Sequence, residues 1–224
     1  MTDGGGPHVD WLADGYGLVL RAFLLTIELG VVAGVFSMLL GVLLAAARVG
    51  PVAVLAKAAA TYVLVFRNTP LLMVFVFVFV ALPKVDIPQL SFFAKGVLAL
   101  TLYTSAFVCE AVRSGVNSVP LGQAEAARAV GLTFGQTMQE VVLPQAMRAA
   151  LPPLASVLIA LMKNTSVAAA FGLIEATARM RFFTNDNADV RTVIFLVFAI
   201  GYVVIVELMS AGAFTLERRW RVAR

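Results

Sequence analysis

The chain has 224 residues, 61% of them hydrophobic and only 13% charged, with a mean hydropathy of +0.93. That leaves too little polar surface to cover a water-soluble globule, so the chain belongs in a bilayer. Its net charge of +4 does not argue for nucleic acid, because the cations sit in loops and at the ends of apolar runs, where a membrane surface attracts them, and form no single basic face.

The N-terminal stretch MTDGGGPHVDWLADGYG is acidic and glycine-rich, with no basic region ahead of the first apolar run, unlike a cleavable signal peptide. The first span is therefore expected to stay in the mature protein, preceded by an extracytoplasmic segment over residues 1–18. His8 has no second metal ligand nearby and reads as an exposed histidine. About 20 mainly apolar residues cross the hydrocarbon as a helix. Five stretches qualify, at 19–46, 56–82, 92–112, 146–172 and 191–214. Backbone groups in lipid must bond internally, so even VFVFVFV, Val74 to Val80, predicts helix despite its strand-like composition. The single cysteine, Cys109, has no disulfide partner and reads as a small apolar wall residue.

The cations divide unequally between the connections. Arg48 and Lys57 flank the first, Arg113, Arg128 and Arg148 flank or occupy the third, and Arg218, Arg219, Arg221 and Arg224 follow the last span. On the other side, Lys84 is balanced by Asp86, and Arg179, Arg181 and Arg191 face Glu175, Asp186 and Asp189. The positive-inside rule then places the N-terminus outside and the tail, 218–224, in the cytoplasm.

The third connection, about 117–144, thus falls in the cytoplasm and predicts two short helices. Pro120 suits a first helical turn, and Gly131 stands where a left-handed C-terminal residue is wanted. Thr133 and Gln136 have the spacing of a capping box, and Pro144 is expected to stop the second helix and open the next. The result is a helix-turn-helix knuckle.

The chain has no GxxxxGK[ST] loop, HExxH, GxSxG or paired cysteine or histidine set, so it reads as a non-enzyme that draws energy from elsewhere. Glu125-Ala126-Ala127, with Gly131 four positions on and Val141-Val142-Leu143-Pro144 after it, resembles the EAA loop of ABC importer permeases. FRNTPLL, AFVCEAVRSGVNSVPLGQAEAARAVGL, LPQAMRAALPPL and LMKNTSVAA extend the likeness to the polar amino acid subfamily. Together they look most like actinobacterial glutamate-uptake permeases. The resemblance implies an all-α, five-span type I importer permease domain over 19–217, with a cytoplasmic coupling helix.

It also implies that Glu125, Ala126, Ala127, Gly131, Leu143 and Pro144 meet an ATPase. The partners it implies are two ATPase copies holding ATP and Mg, a second permease, identical or paralogous, an extracytoplasmic amino-acid-binding protein, and membrane lipid. No cofactor is expected in this chain. Cys109 stands where alanine is common, and Asn164 where many relatives have aspartate, which points away from a cationic cargo and toward glutamate, aspartate or glutamine. The alternative is an ion-gradient-driven secondary amino acid transporter, but no inverted repeat is found.

Charge at the bilayer centre costs about 2.5 to 3.5 kcal/mol on insertion scales, so such groups need partners or a wet cavity. Glu28 and Glu207 belong to no motif and read as inter-helix pairs or interfacial residues. Arg67 either holds a carboxylate with its planar fork or snorkels to headgroups. Glu110, three residues before Arg113, predicts a local pair. Lys163, Asn164, Thr165 and Ser166 gather donors at the end of the fourth span and predict a cavity lining. The substrate-pathway candidates are these four with Arg67, Thr69, Ser105 and Glu110.

Overall fold

The computed structural model describes residues 10–85 and 89–220, with the side chains of 15–85 and 89–219. The readings placed on residues 1–9, Asp86, Arg221 and Arg224 lie outside these residues. Helix α1 (Asp10–Val49) is 40 residues long. At 1.5 Å per residue that is roughly 60 Å, about twice the hydrocarbon thickness. Its polar first turns are helical, so the helix begins before the apolar run at 19.

The second predicted span, 56–82, is not one rod. Helix α2 (Ala53–Asn68) stops at Thr69, and α3 (Leu71–Val76) leaves at 107° to it. Pro70 has no N–H to give and forces the residue before it out of helical geometry; Thr69 is extended at φ −93°, ψ 130°. The Thr69 hydroxyl turns back to bond the Val65 carbonyl at 2.8 Å. Beyond α3 the chain widens into a π-type turn, Phe77–Ala81, and tightens into a 3-10 turn, Leu82–Lys84. The alternating valines and phenylalanines are helical, as the bilayer argument requires.

Helix α4 (Phe92–Asn117) is capped by Ser91, whose hydroxyl accepts from the Ala94 N–H at 3.2 Å. After it come the short helices α5 (Leu121–Ala129) and α6 (Phe134–Gln136), then α7 (Leu143–Asn164) and a 3-10 turn, Thr165–Phe171. Pro144 does not break the chain into two helices. Helical structure from Phe134 to Phe171 forms one 38-residue run. The segment just before Pro144, Thr137–Val142, is wound as a π-helix. Bonding there is i to i+5, so the loss of a proline N–H and the ring's clash with the carbonyl four back are absorbed by the wider turn. The segment read as an outer loop forms α8 (Ala176–Asp186), and α9 (Arg191–Trp220) completes the described chain. Among the described residues, four helices are long and apolar enough to span, five with the bent α2–α3 pair.

The core joins α1, α3, α4 and α7 through Leu29, Phe75, Leu100 and Leu161, all fully or almost fully buried. In lipid this packing gains little from leaving the solvent, because acyl chains are as apolar as leucine, so close contact between small residues carries more of it. Ala33, Ala45, Ala99 and Ala106 are buried along α1 and α4 accordingly. Leu24, Leu43 and Leu208 point outward, as lipid-facing side chains do.

Candidate functional site

Local code builds the knuckle. Pro120 is the N-cap residue of α5, at φ −58° and ψ 131°, one position ahead of the first helical turn expected for it. At its other end the Leu132 N–H bonds the Ala127 carbonyl at 3.2 Å and the Gly131 N–H bonds that of Arg128 at 3.0 Å. This pair of bonds is a Schellman motif, and it requires the left-handed residue between them, Gly131 at φ +94°. Thr133 and Gln136 then form the expected capping box. The Thr133 N–H donates to Gln136 Oε1 at 2.9 Å, and the Gln136 N–H to Thr133 Oγ1 at 3.3 Å.

The knuckle is fastened to the spans at its base. Gln145 Nε2 on α7 donates both to Gln123 Oε1 on α5 and to the Val141 carbonyl. Gly115 lies where α4 crosses α7 so closely that a Cβ there would stand 2.4 Å from the Ala146 carbonyl oxygen. Ala127 is buried against this base, whereas Glu125, Ala126, Leu143 and Pro144 are exposed. So are three large apolar side chains, Leu121 at 81%, Val130 at 80% and Phe134 at 54%. Apolar groups that stand out on a polar loop, beyond the spans, mark a surface that meets a partner.

Inside the spans, the pair expected between Glu110 and Arg113 is present, at 2.8 Å from Nη2 and 3.2 Å from Nε. Two further arginines, from other helices, reach the same carboxylate. Arg48 on α1 hydrogen-bonds Oε1, and Arg67 on α2 approaches it at 3.6 Å while lying over the Phe107 ring. Arg48 was legible only as a loop flank, because a separation of 62 positions from Glu110 leaves no local signal. Ser105 is buried, its hydroxyl shared between Tyr62 and the Leu102 carbonyl. Thr165 is also buried and bonds the Met162 carbonyl at 2.6 Å. Lys163 is exposed, Asn164 half-buried, and the Ser166 hydroxyl bonds the Lys163 carbonyl. Glu28 and Glu207 are exposed.

One site the sequence did not flag lies where α1, α8 and α9 meet. Glu175 is fully buried, accepting from Tyr202 Oη at 2.7 Å, from Thr26 Oγ1 at 3.3 Å and from the Ala178 N–H at 3.0 Å. Burial pushes its carboxyl above the ordinary range, against the pull of those donors. A charged-loop reading of Glu175 against Arg179 hid it.

Residues 37–222 match the family described as the binding-protein-dependent transport system inner membrane component. The chain belongs to this family. The permease is 39% identical over 217 residues to the glutamate transport system permease protein GluC of Corynebacterium efficiens, covering 92% of this chain and 95% of that one. It is 36% identical over 214 residues to the probable glutamine ABC transporter permease protein GlnP of Bacillus subtilis, covering 95% and 94%. Among solved structures, an amino acid ABC transporter crystallised with histidines superposes at a TM-score of 0.86 and 26% identity, covering 98% of the permease and all of that chain. The methionine transporter MetNI shares the fold alone, at a TM-score of 0.72 and 20% identity. The expected ABC importer permease fold is thereby met, as a multi-pass membrane protein.

Proposed function

We propose that the permease is the membrane half of an ATP-driven importer for acidic amino acids, glutamate first, with aspartate and glutamine as its nearest competitors. The observation that carries this is the knuckle, a capped, glycine-turned projection whose exposed apolar face is tied by Gln123 and Gln145 to one continuous helix through the membrane. Such a part transmits force from a separate motor. Glu125, Ala126, Ala127, Gly131, Leu143 and Pro144 form the contact and its support, and two ATPase copies holding ATP and Mg dock there. A second permease and an extracytoplasmic binding protein complete the assembly, with the N-terminus outside and the C-terminus in the cytoplasm.

The cargo reading draws on relatives named for glutamate, glutamine and glutamate with aspartate. Lys163 and Asn164, at the end of α7, offer a cation and an amide to a carboxylate without a competing negative charge. The test is uptake of labelled glutamate into proteoliposomes holding the permease with its ATPase and binding protein. Accumulation should require ATP and ignore ionophores. Accumulation without ATP that collapses with an ionophore overturns the proposal.

A further inference from the structure

We infer that the arginine cluster around Glu110 holds the phosphate of an acidic phospholipid headgroup from the leaflet on the knuckle side. The cluster is unbalanced. Three guanidinium groups, from Arg48, Arg67 and Arg113, share one carboxylate. Each guanidinium carries five N–H donors, and one carboxylate has about four lone-pair sites, so most donors find no acceptor there. Arg67 is the least committed. At 3.6 Å its contact with Glu110 is an ion pair outside hydrogen-bond reach, its plane lies 5.8 Å from the Phe107 ring, and its side chain is 46% exposed.

The donors of Arg48 and Arg67 open onto a cavity of about 420 Å³ lined also by Thr61, Leu64, Asn68 and Glu110, with Arg113 behind the carboxylate. Two of its walls stand near helix ends on the knuckle side, the side of the inferred headgroup. Arg48 is one residue from the end of α1, and Glu110 is seven residues, roughly 10 Å, from the end of α4, just before the knuckle begins. The rim is apolar, with Leu64 and Val65 more than half exposed on the turn of α2 that carries Arg67. A phosphodiester with acyl chains attached satisfies both halves of this surface; an amino acid carboxylate satisfies only one. The bidentate geometry of arginine with phosphate supplies the grip, and three guanidinium groups against one carboxylate repel a choline cation, so an anionic headgroup is preferred over a zwitterionic one. This takes Arg67 out of the cargo pathway and leaves Lys163 and Asn164 there, and it stands whatever the cargo is.

The experiment is lipid retention by native mass spectrometry of the full chain released from nanodiscs of equal phosphatidylglycerol and phosphatidylcholine. The permease should keep phosphatidylglycerol preferentially. Arg67→Gln, which leaves Arg48 and Arg113 on Glu110, should lower that preference about fivefold, the scale of one basic side chain at an anionic surface. Arg67→Lys, which keeps the charge but loses the fork, should fall between. Lys57→Gln, removing an exposed cation near the other end of α2, should leave the preference intact. Equal loss in Arg67→Gln and Lys57→Gln means diffuse surface charge and overturns the inference. So does displacement of the lipid by glutamate, or binding of inorganic phosphate alone as tight as that of the lipid.

Discussion

Asn164 and Glu175 make opposite demands on a proton and on charge. At Asn164 an aspartate would add a negative charge beside the exposed Lys163 and the proposed cargo route, and would repel an acidic side chain at short range. Asn164→Asp should therefore lower glutamate uptake more than glutamine uptake in membranes with matched expression. An unchanged ratio of the two rates removes Asn164 from cargo selection. Glu175 bears on stability. Its carboxyl titrates above the unfolded value of 4.5 because it is buried, so the folded state holds a proton that the unfolded state has released. Its contribution is complete below that unfolded value and fades as pH rises through the raised one. Thermal unfolding of the purified protein should show this decline, and Glu175→Gln, which keeps an acceptor for Tyr202, should lack it. Equal pH slopes in both proteins would contradict the assignment.

At the scale of elements, the knuckle was legible because its punctuation is local. Pro120, Gly131 and the Thr133–Gln136 box each act within a few residues; Gly131 and the box do in the fold what their spacing predicts, and Pro120 marks the helix start from one position ahead of the first turn. The Arg48–Glu110–Arg67 contacts were not legible, since they join three helices and depend on how α1, α2 and α4 pack. The break at Pro70 was half legible. A proline disfavours helical geometry in the residue before it, which accounts for a break at this point but not for its angle of 107°. Pro144 misled, because one wide turn can carry a proline through a helix.

Two predictions belong to this scale. Gly131→Val places a β-branched residue at φ +94°, a strain of at least about 1 to 2 kcal/mol. Insertion should survive while transport and stimulation of the ATPase both fall; wild-type values for the two would detach the turn from coupling. Gln123→Ala removes the bond to Gln145, worth about 1 kcal/mol net. The variant should hydrolyse more ATP per glutamate delivered, and an unaltered ratio would show that the bond has no part in transmission.

For the whole molecule, orientation decides whether the knuckle can meet a soluble motor. With Cys109 replaced by alanine, single cysteines at Ser118 and Asp189, both exposed, should be labelled from opposite sides of the membrane, Ser118 only from the cytoplasm. The reverse pattern would remove the ATPase from reach. The unbroken helix from Phe134 to Phe171 gives that geometry a mechanical meaning. Its tightest crossing, where Gly115 meets Ala146, is a natural pivot. The arm from Ala146 back to Phe134 is 12 residues, and the arm forward to Asn164 is 18, so the gain is about one and a half. A tilt of roughly 10° that displaces the Phe134 end by about 3 Å swings the Asn164 end by about 5 Å, more than a hydrogen-bond length. Each arm has its own soft point: the π-type turn before Pro144 in the shorter one, and in the longer one Pro152 and Pro153, which have no N–H to give to Arg148 and Ala149. On the proposed coupling, this lever amplifies stroke from the knuckle toward Asn164.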